Sequence, residues 1–229
     1  MMVYQNDLKR ILWHEFGHFL IELLFTNQFP TYKIECLQLT LHRNCINGKC
    51  WGGGIKVKPS INLEEVPLDQ DAISFQILSL FSGCIFESFF LKDNKCLLKL
   101  FDKCLCSENS CTGKKDLDFI HAITNRIPLH YKDKTELNKY LNNDFKTHYF
   151  HLISKNEQFI KELESLIISL SNKIITNLDE TNLDETQDYR IVESELSSLI
   201  NETTQILSII EVDLLTLKDE IKQKMKIKK

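Results

Sequence analysis

The stretch "LKRILWHEFGHFLIELLF", Leu8 to Phe25, is strongly apolar, yet it carries His14, Glu15 and His18 near its middle. Polar groups in so apolar a helix are costly to bury unless something satisfies them. Residues four apart on a helix project from one face, so the imidazoles of His14 and His18 can reach a single ion. Neutral imidazole is a good zinc ligand. Glu15 lies about 100° round the helix from His14. There it is poorly placed to ligate and well placed to take a proton from a water that a metal has acidified. Residue frequencies alone produce H-E-x-x-H in about one chain of this length in a hundred, and the hydrophobic frame around the motif adds weight to it. Gly17, beside His18, is expected to leave room next to the metal.

A catalytic zinc needs a third protein ligand and an open position. The longer pattern H-E-x-x-H-x-x-G-x-x-H is absent, because Ile21 and Leu24 stand where its glycine and third histidine would be. The third ligand must come from later in the chain. Glu87, Asp116 and Asp118 are the carboxylates that fall on, or at the start of, later apolar helices.

The rest of the chain reads as mainly helical with a small β part. Asn6 or Asp7 is expected to cap the first helix, which runs to about Phe25. "YKIECLQLTLH" alternates, with Leu37, Leu39 and Leu41 on one face, and "CWGGGIKVKP" returns after an Asn-Gly turn, making a hairpin. Pro59 to Asp71 reads as a loop, Ala72 to Leu91 as an apolar helix, and Lys115 to Arg126 as another that stops before Pro128. Phe159, Leu163, Leu166, Ile167 and Leu170 form one helical stripe. "NLDETNLDET", residues 177–186, is a tandem copy of five residues and reads as a polar linker. Thr203, Ile206, Ile210, Leu214, Leu217, Ile221 and Met225 follow an eleven-residue period on one long amphipathic helix. These readings divide the chain into a domain over 1–176, a linker over 177–188 and a C-terminal helix over 189–229. Fold-back of that helix onto the stripe around Phe159–Leu170 is preferred, because short connections favour antiparallel neighbours. Self-association through it, giving a homo-oligomer, is the alternative.

The 229 residues are enough for one good-sized core, and 43% apolar with 26% charged residues is ordinary for a soluble protein. A net charge of -4 is too mild to imply nucleic acid or a membrane surface. No signal peptide is legible, and Ile11–Phe25 is too short and too polar at its centre to span a bilayer, so a cytoplasmic protein is expected. The eight cysteines then read as reduced thiols. Neither "CINGKC" nor "CLCSENSC" has the C-x2-C spacing of a structural zinc site, though a second, cysteine-bound metal stays open.

"HEFGH" is similar to the "HEAGH" of the peptidase domain in FtsH-type proteases. In that family a sheet region with a glycine-rich strand follows, then a helix reading roughly "LLGGRAAEE", then "TGASNDL" opening a helix whose aspartate is the third zinc ligand. Here "CWGGGIKVKP", "SLFSGCIFESFF" and "TGKKDLDFIHA" appear in the same order, so the resemblance covers about Leu8 to Arg126. It implies an α+β zinc metallopeptidase domain with Zn2+ on His14, His18 and one aspartate, and Glu15 as general base. The aspartate is Asp116 or Asp118. Asp116 lies on the stripe of Ile120, Ile123 and Ile127, whereas Asp118, with Phe119 next and Ala122 one turn on, copies the family's local pattern better and is favoured. Glu87 matches a family glutamate near the site and is ranked as a group that bonds a ligand imidazole rather than a ligand itself. His121 is expected on the surface. Gly52, Gly53 and Gly54 either offer an edge strand to an extended peptide or make a bulge. The chain carries no G-x-x-x-x-G-K-[ST] motif, so cleavage of peptides or unfolded proteins without ATP is implied. A non-catalytic metal-binding or helical interaction module, its C-terminal helices recruiting a partner, is the alternative.

Overall fold

The computed structural model describes the chain except for residues 1, 47–48, 59–68, 92–95, 109–110, 128, 130, 178–185 and 226–229. The Asn-Gly turn, most of the loop before Asp71 and most of the tandem copy lie outside the described residues. As the apolar and alternating patterns imply, the fold is mainly helical with a small antiparallel sheet.

Helix α1 (Met2–Gln28) is the axis of the core. Leu8, Leu12, Phe16, Phe19 and Leu20 are fully buried, on several sides of the helix, which is why its apolar residues do not confine themselves to one stripe. It begins earlier than the sequence suggests. Asp7 is an interior residue rather than a cap, and its carboxylate instead accepts the backbone N–H of Trp51 at 2.8 Å. Helix α2 (Gln70–Phe90) packs across α1. Its Asp69 carboxylate caps the helix by accepting the N–H of Asp71 at 2.9 Å. Buried Ser74, Ser82 and Ser88 each donate to the carbonyl one turn earlier, which removes their burial penalty. By length and composition α2 could cross a membrane, but 78% of its apolar window is buried inside the protein. The two backbones nearly touch at their crossing. A Cβ on Gly17 would lie 2.4 Å from the carbonyl oxygen of Ser82. Gly17 therefore serves the helix crossing and is not the residue that clears space for a metal.

Strands β1 (Lys33–Ile46) and β2 (Lys49–Lys58) form the expected hairpin, with Leu37, Leu39 and Leu41 fully buried on its inner face. A third strand, β3 (Gln187–Ile191), pairs antiparallel with β1, placing Tyr189 opposite Leu39, so the sheet order is β2-β1-β3. Five polar-rich residues gave no alternating signal, so this strand is legible only once β1 offers its free edge.

Helix α3 (Leu97–Cys104) follows α2, between the two apolar helices the sequence implies, and α4 (Lys114–Arg126) comes after it. Helix α5 (Tyr131–Tyr140) passes through a π turn at Leu141–Phe145 into α6 (Lys146–Lys155), and α7 (Glu157–Thr176) carries Phe159, Leu163 and Ile167 into the core. Cys84 is joined to Cys104 and Cys106 to Cys111, correcting the expectation of reduced thiols. Packing of α3 on α2 brings the Cα atoms of Cys84 and Cys104 to 5.5 Å, inside the range a disulfide spans. Free Cys36 is buried and free Cys96 is exposed.

The C-terminal segment is two helices, α8 (Glu193–Leu207) and α9 (Glu211–Lys224), not one. The chain turns at Ser208–Ile210, where the Ser208 hydroxyl donates to the Gln205 carbonyl at 2.7 Å. The break lets α8 lie against α1, α7 and β1 while α9 packs on α2. The whole stripe from Thr203 to Met225 is buried by this fold-back. Its main partner for α9 is α2 rather than α7. Lys218 Nζ lies 2.8 Å from Asp71 at the start of α2, and Lys222 pairs with the same carboxylate. The division of the chain at 177–188 therefore does not mark a separable tail, since 187–191 is part of the sheet.

Truncation after Thr186 is accordingly expected to unfold the protein. Ile206, Ile210, Leu214, Leu217 and Ile221 are nearly fully buried. At about 1.5–3 kcal/mol for each buried aliphatic side chain, these five contribute about 8–15 kcal/mol, comparable with a whole domain's net stability of about 5–15 kcal/mol. Circular dichroism melts of the truncated and full-length chains check this. A truncated chain with a native melting transition would mean that the C-terminal helices are dispensable to the core.

Candidate metal centre

Four residues of α1 share one face at four-residue spacing: Arg10, His14, His18 and Glu22. This polar stripe is flanked by α2, α4 and β2, and each neighbour contributes to the site.

His14 Nε2 and His18 Nε2 are 3.2 Å apart. Asp116 Oδ2, from the first turn of α4, is 3.2 Å from the former and 3.6 Å from the latter. That oxygen is buried and has no hydrogen-bond partner. Ligands about 2.0–2.1 Å from a tetrahedral zinc stand about 3.3–3.4 Å from one another, so the triangle has the size such an ion requires. An unpaired buried carboxylate oxygen aimed at two imidazole nitrogens is costly without a cation. The residues present therefore fit zinc. Asp116 pairs here because it shares a helix face with buried Ile120 and Ile123. Asp118 is exposed, two residues and about 200° further round the helix. The local family pattern that favoured Asp118 is thus outweighed by the buried stripe. His121 is exposed, as expected.

Each imidazole is held on its other side. His14 Nδ1 donates to Glu87 Oε2 at 3.1 Å, so Glu87 stands behind the ligand nitrogen and not beside it. Ser79 Oγ donates to Glu22 Oε1 at 3.2 Å and lies 3.5 Å from His18 Nδ1. Such contacts fix ring orientation and leave Nε2 free to ligate. Burial alone would lower the pKa of His14, but the close negative charges of Asp116 and Glu87 outweigh this and raise it to about 10. The same pairing offsets the burial of Asp116 and drives its carboxyl far below the usual range. The pocket thus holds positive charge strongly, and a divalent cation can supply it. Glu22 is pushed up to about 7 by burial, against the opposing pull of Ser79 and His18.

Glu15 is 5% exposed, and burial raises its pKa against the pull of both histidines. Gly53 of β2 lies directly against it: a Cβ there would be 2.6 Å from Glu15 Cγ. The glycine that leaves room at the two imidazoles is Gly83, from the α2 crossing, where a Cβ would meet His18 Nε2 at 2.5 Å and His14 Nε2 at 2.8 Å. Gly52 approaches the His42 ring, and nothing crowds Gly54. His14 is sealed, whereas the side chains of His18 and Asp116 each keep 14% exposure, so the centre opens to solvent on their side.

Two further groups of donors lie within 4.8 Å of one another, His14–Cys84–Cys104 and Cys106–Glu108–Cys111. In both, the sulfurs are joined as disulfides. Arg10, Glu22, Ser79 and Gly83 were missed in the sequence. The signal for the first two was present, since a charged residue recurring every four positions in a buried helix requires partners. Ser79 and Gly83 carried none, because their roles depend on where α2 crosses α1. No protein-family model, curated protein or solved structure matches the chain.

Proposed function

We propose that this protein is a zinc-dependent, ATP-independent metalloendopeptidase, similar in its core to the peptidase domain of FtsH-type proteases. The observation that carries the reading is the His14–His18–Asp116 triangle, with its orphaned carboxylate oxygen and Glu15 next to it. Bound there, zinc would acidify a water and polarise a peptide carbonyl. Glu15, buried beside the two imidazoles, is the carboxylate placed to take the proton of the attacking water. Glu87 and Ser79 keep the two imidazoles in place during that transfer. Strand β2 is an edge of the sheet, and its Gly53 lies beside Glu15. An extended, unfolded substrate can pair with that edge through backbone hydrogen bonds, with little demand on its sequence. The rival reading is a non-catalytic metal-binding or helical interaction module, and against its recruiting partners through the tail stands the packing of the stripe Thr203–Met225 on the chain's own core.

Metal analysis beside a casein-cleavage assay tests the proposal. The purified chain is expected to hold about one zinc, to lose cleavage when a chelator strips the metal, and to regain it when zinc is returned. A chain that holds full zinc in this centre yet never cleaves unfolded protein would make the metal structural. A chain that takes up none would remove the metal reading altogether.

A further inference from the structure

Arg10 is buried one turn before His14, and its guanidinium is shared among three pieces of the structure. Nε donates to Asp7 Oδ1 at 2.7 Å. Nη1 donates to Glu87 Oε1 at 2.9 Å and to Thr112 Oγ1 at 2.8 Å. Thr112 in turn donates to Glu87 Oε1 at 3.2 Å, and Glu87 Oε2 accepts His14 Nδ1. At the far end, Asp7 Oδ2 accepts the backbone N–H groups of Cys50 at 2.5 Å and Trp51 at 2.8 Å. One side chain therefore joins the start of β2, which leads to Gly53, the turn before α4, which leads to Asp116, and the carboxylate behind His14.

A buried Arg between two carboxylates is weak evidence of a role in stability, because well-packed apolar residues often replace the whole ion cluster at no loss. Its planar fork does offer something an apolar residue cannot, two fixed donor directions at once. One direction runs to the strand anchor Asp7 and the other to Glu87. We infer that Arg10 is a positioning residue of the metal centre: it locks Glu87 in register with His14 Nδ1 and thereby fixes the imidazole whose Nε2 faces His18 and Asp116. The inference rests on reading His14, His18 and Asp116 as zinc ligands. Arg10 does not touch the ligand triangle, and of its contacts the one assigned to holding His14 is that with Glu87.

The test is zinc affinity of the full-length chain, measured by competition with a chromophoric chelator, with the visible spectrum of the Co2+ form as a report on ligand geometry. Groups behind a metal ligand are commonly worth about 10–100-fold in affinity. Arg10→Met is expected to weaken zinc binding by about tenfold and to broaden the Co2+ bands. Arg10→Lys, which keeps the charge but not the fork, should recover part of that loss. Glu87→Gln should weaken binding by about 10–100-fold, and Arg10→Met added to Glu87→Gln should cost nothing more, because the route through Glu87 is already cut. Should Arg10→Met fail to fold, the double variant removes one of the two carboxylates it strands, Asp7 keeping the N–H groups of Cys50 and Trp51, and its comparison with Glu87→Gln alone decides the matter. A further tenfold loss in the double variant, or wild-type affinity in Arg10→Met with only a lowered melting temperature, overturns the inference and leaves Arg10 a structural charge. Wild-type protein that takes up no zinc overturns the metal reading itself, and this inference with it.

Discussion

Glu15→Gln is expected to keep the fold and the zinc while lowering peptide hydrolysis by at least about a hundredfold, the lower end of what a positioned general base supplies. The amide has the shape of the carboxylate, so it fits the slot between α1 and Gly53, where a Cβ would already lie 2.6 Å from Glu15 Cγ. Nothing in the ligand triangle changes, because Glu15 is not among the three residues whose donor atoms cluster. What is lost is the ability to accept a proton. Burial raises the pKa of Glu15 while His18 and His14 oppose it, and the net effect is a carboxylate more basic than one in water. Casein turnover per bound zinc, measured for wild type and variant at matched metal content, checks this. Undiminished cleavage by Glu15→Gln would sink the mechanism, whereas loss of cleavage together with loss of zinc would show that Glu15 supports the metal and leave its role as base undecided.

The second large effect separates two aspartates that lie two residues apart. Asp116→Asn is expected to weaken zinc binding by more than about 100-fold, since groups merely behind a ligand already cost about 10–100-fold. Its Oδ2 stands 3.2 Å and 3.6 Å from the two imidazole nitrogens. Asp118→Asn is expected to leave affinity unchanged and to cost at most the charge of an exposed residue near a helix N-terminus, about 0.3–1 kcal/mol. Chelator competition gives the first quantity and thermal melting the second. The reverse order of zinc affinities would restore the family's local pattern and put α4 in a different rotation. If neither matters while Glu87→Gln abolishes zinc, the third ligand is a glutamate and the resemblance to FtsH-type domains fails.

His14, Glu15 and His18 were legible because all three sit on one helix, where spacing alone fixes which side chains share a face. Leu37, Leu39 and Leu41 were legible for the same reason, through the two-residue period of a strand. The carboxylate that joins them was not, because Asp116 and Asp118 both satisfy a motif and only burial of one face of α4 brings Asp116 to the two imidazoles. Strand β3 escaped notice because short polar strands are made by the edge they join. The break at Ser208–Ile210 escaped it because the stripe from Thr203 to Met225 keeps its period across the bend, each half facing a different wall of the same core.

Local periodicity thus determined which residues could bind a metal and which faces had to be buried. Tertiary packing decided the rest: the close crossing at Gly17 and Ser82 that sets Gly83 against both imidazoles, the turn that presents Asp116, and the Arg10–Glu87 contact behind His14. Those depend on distances between segments some 60 to 100 residues apart in the chain, and no spacing rule within a single element encodes them, because each is fixed only when helices from different parts of the chain exclude water from the same space.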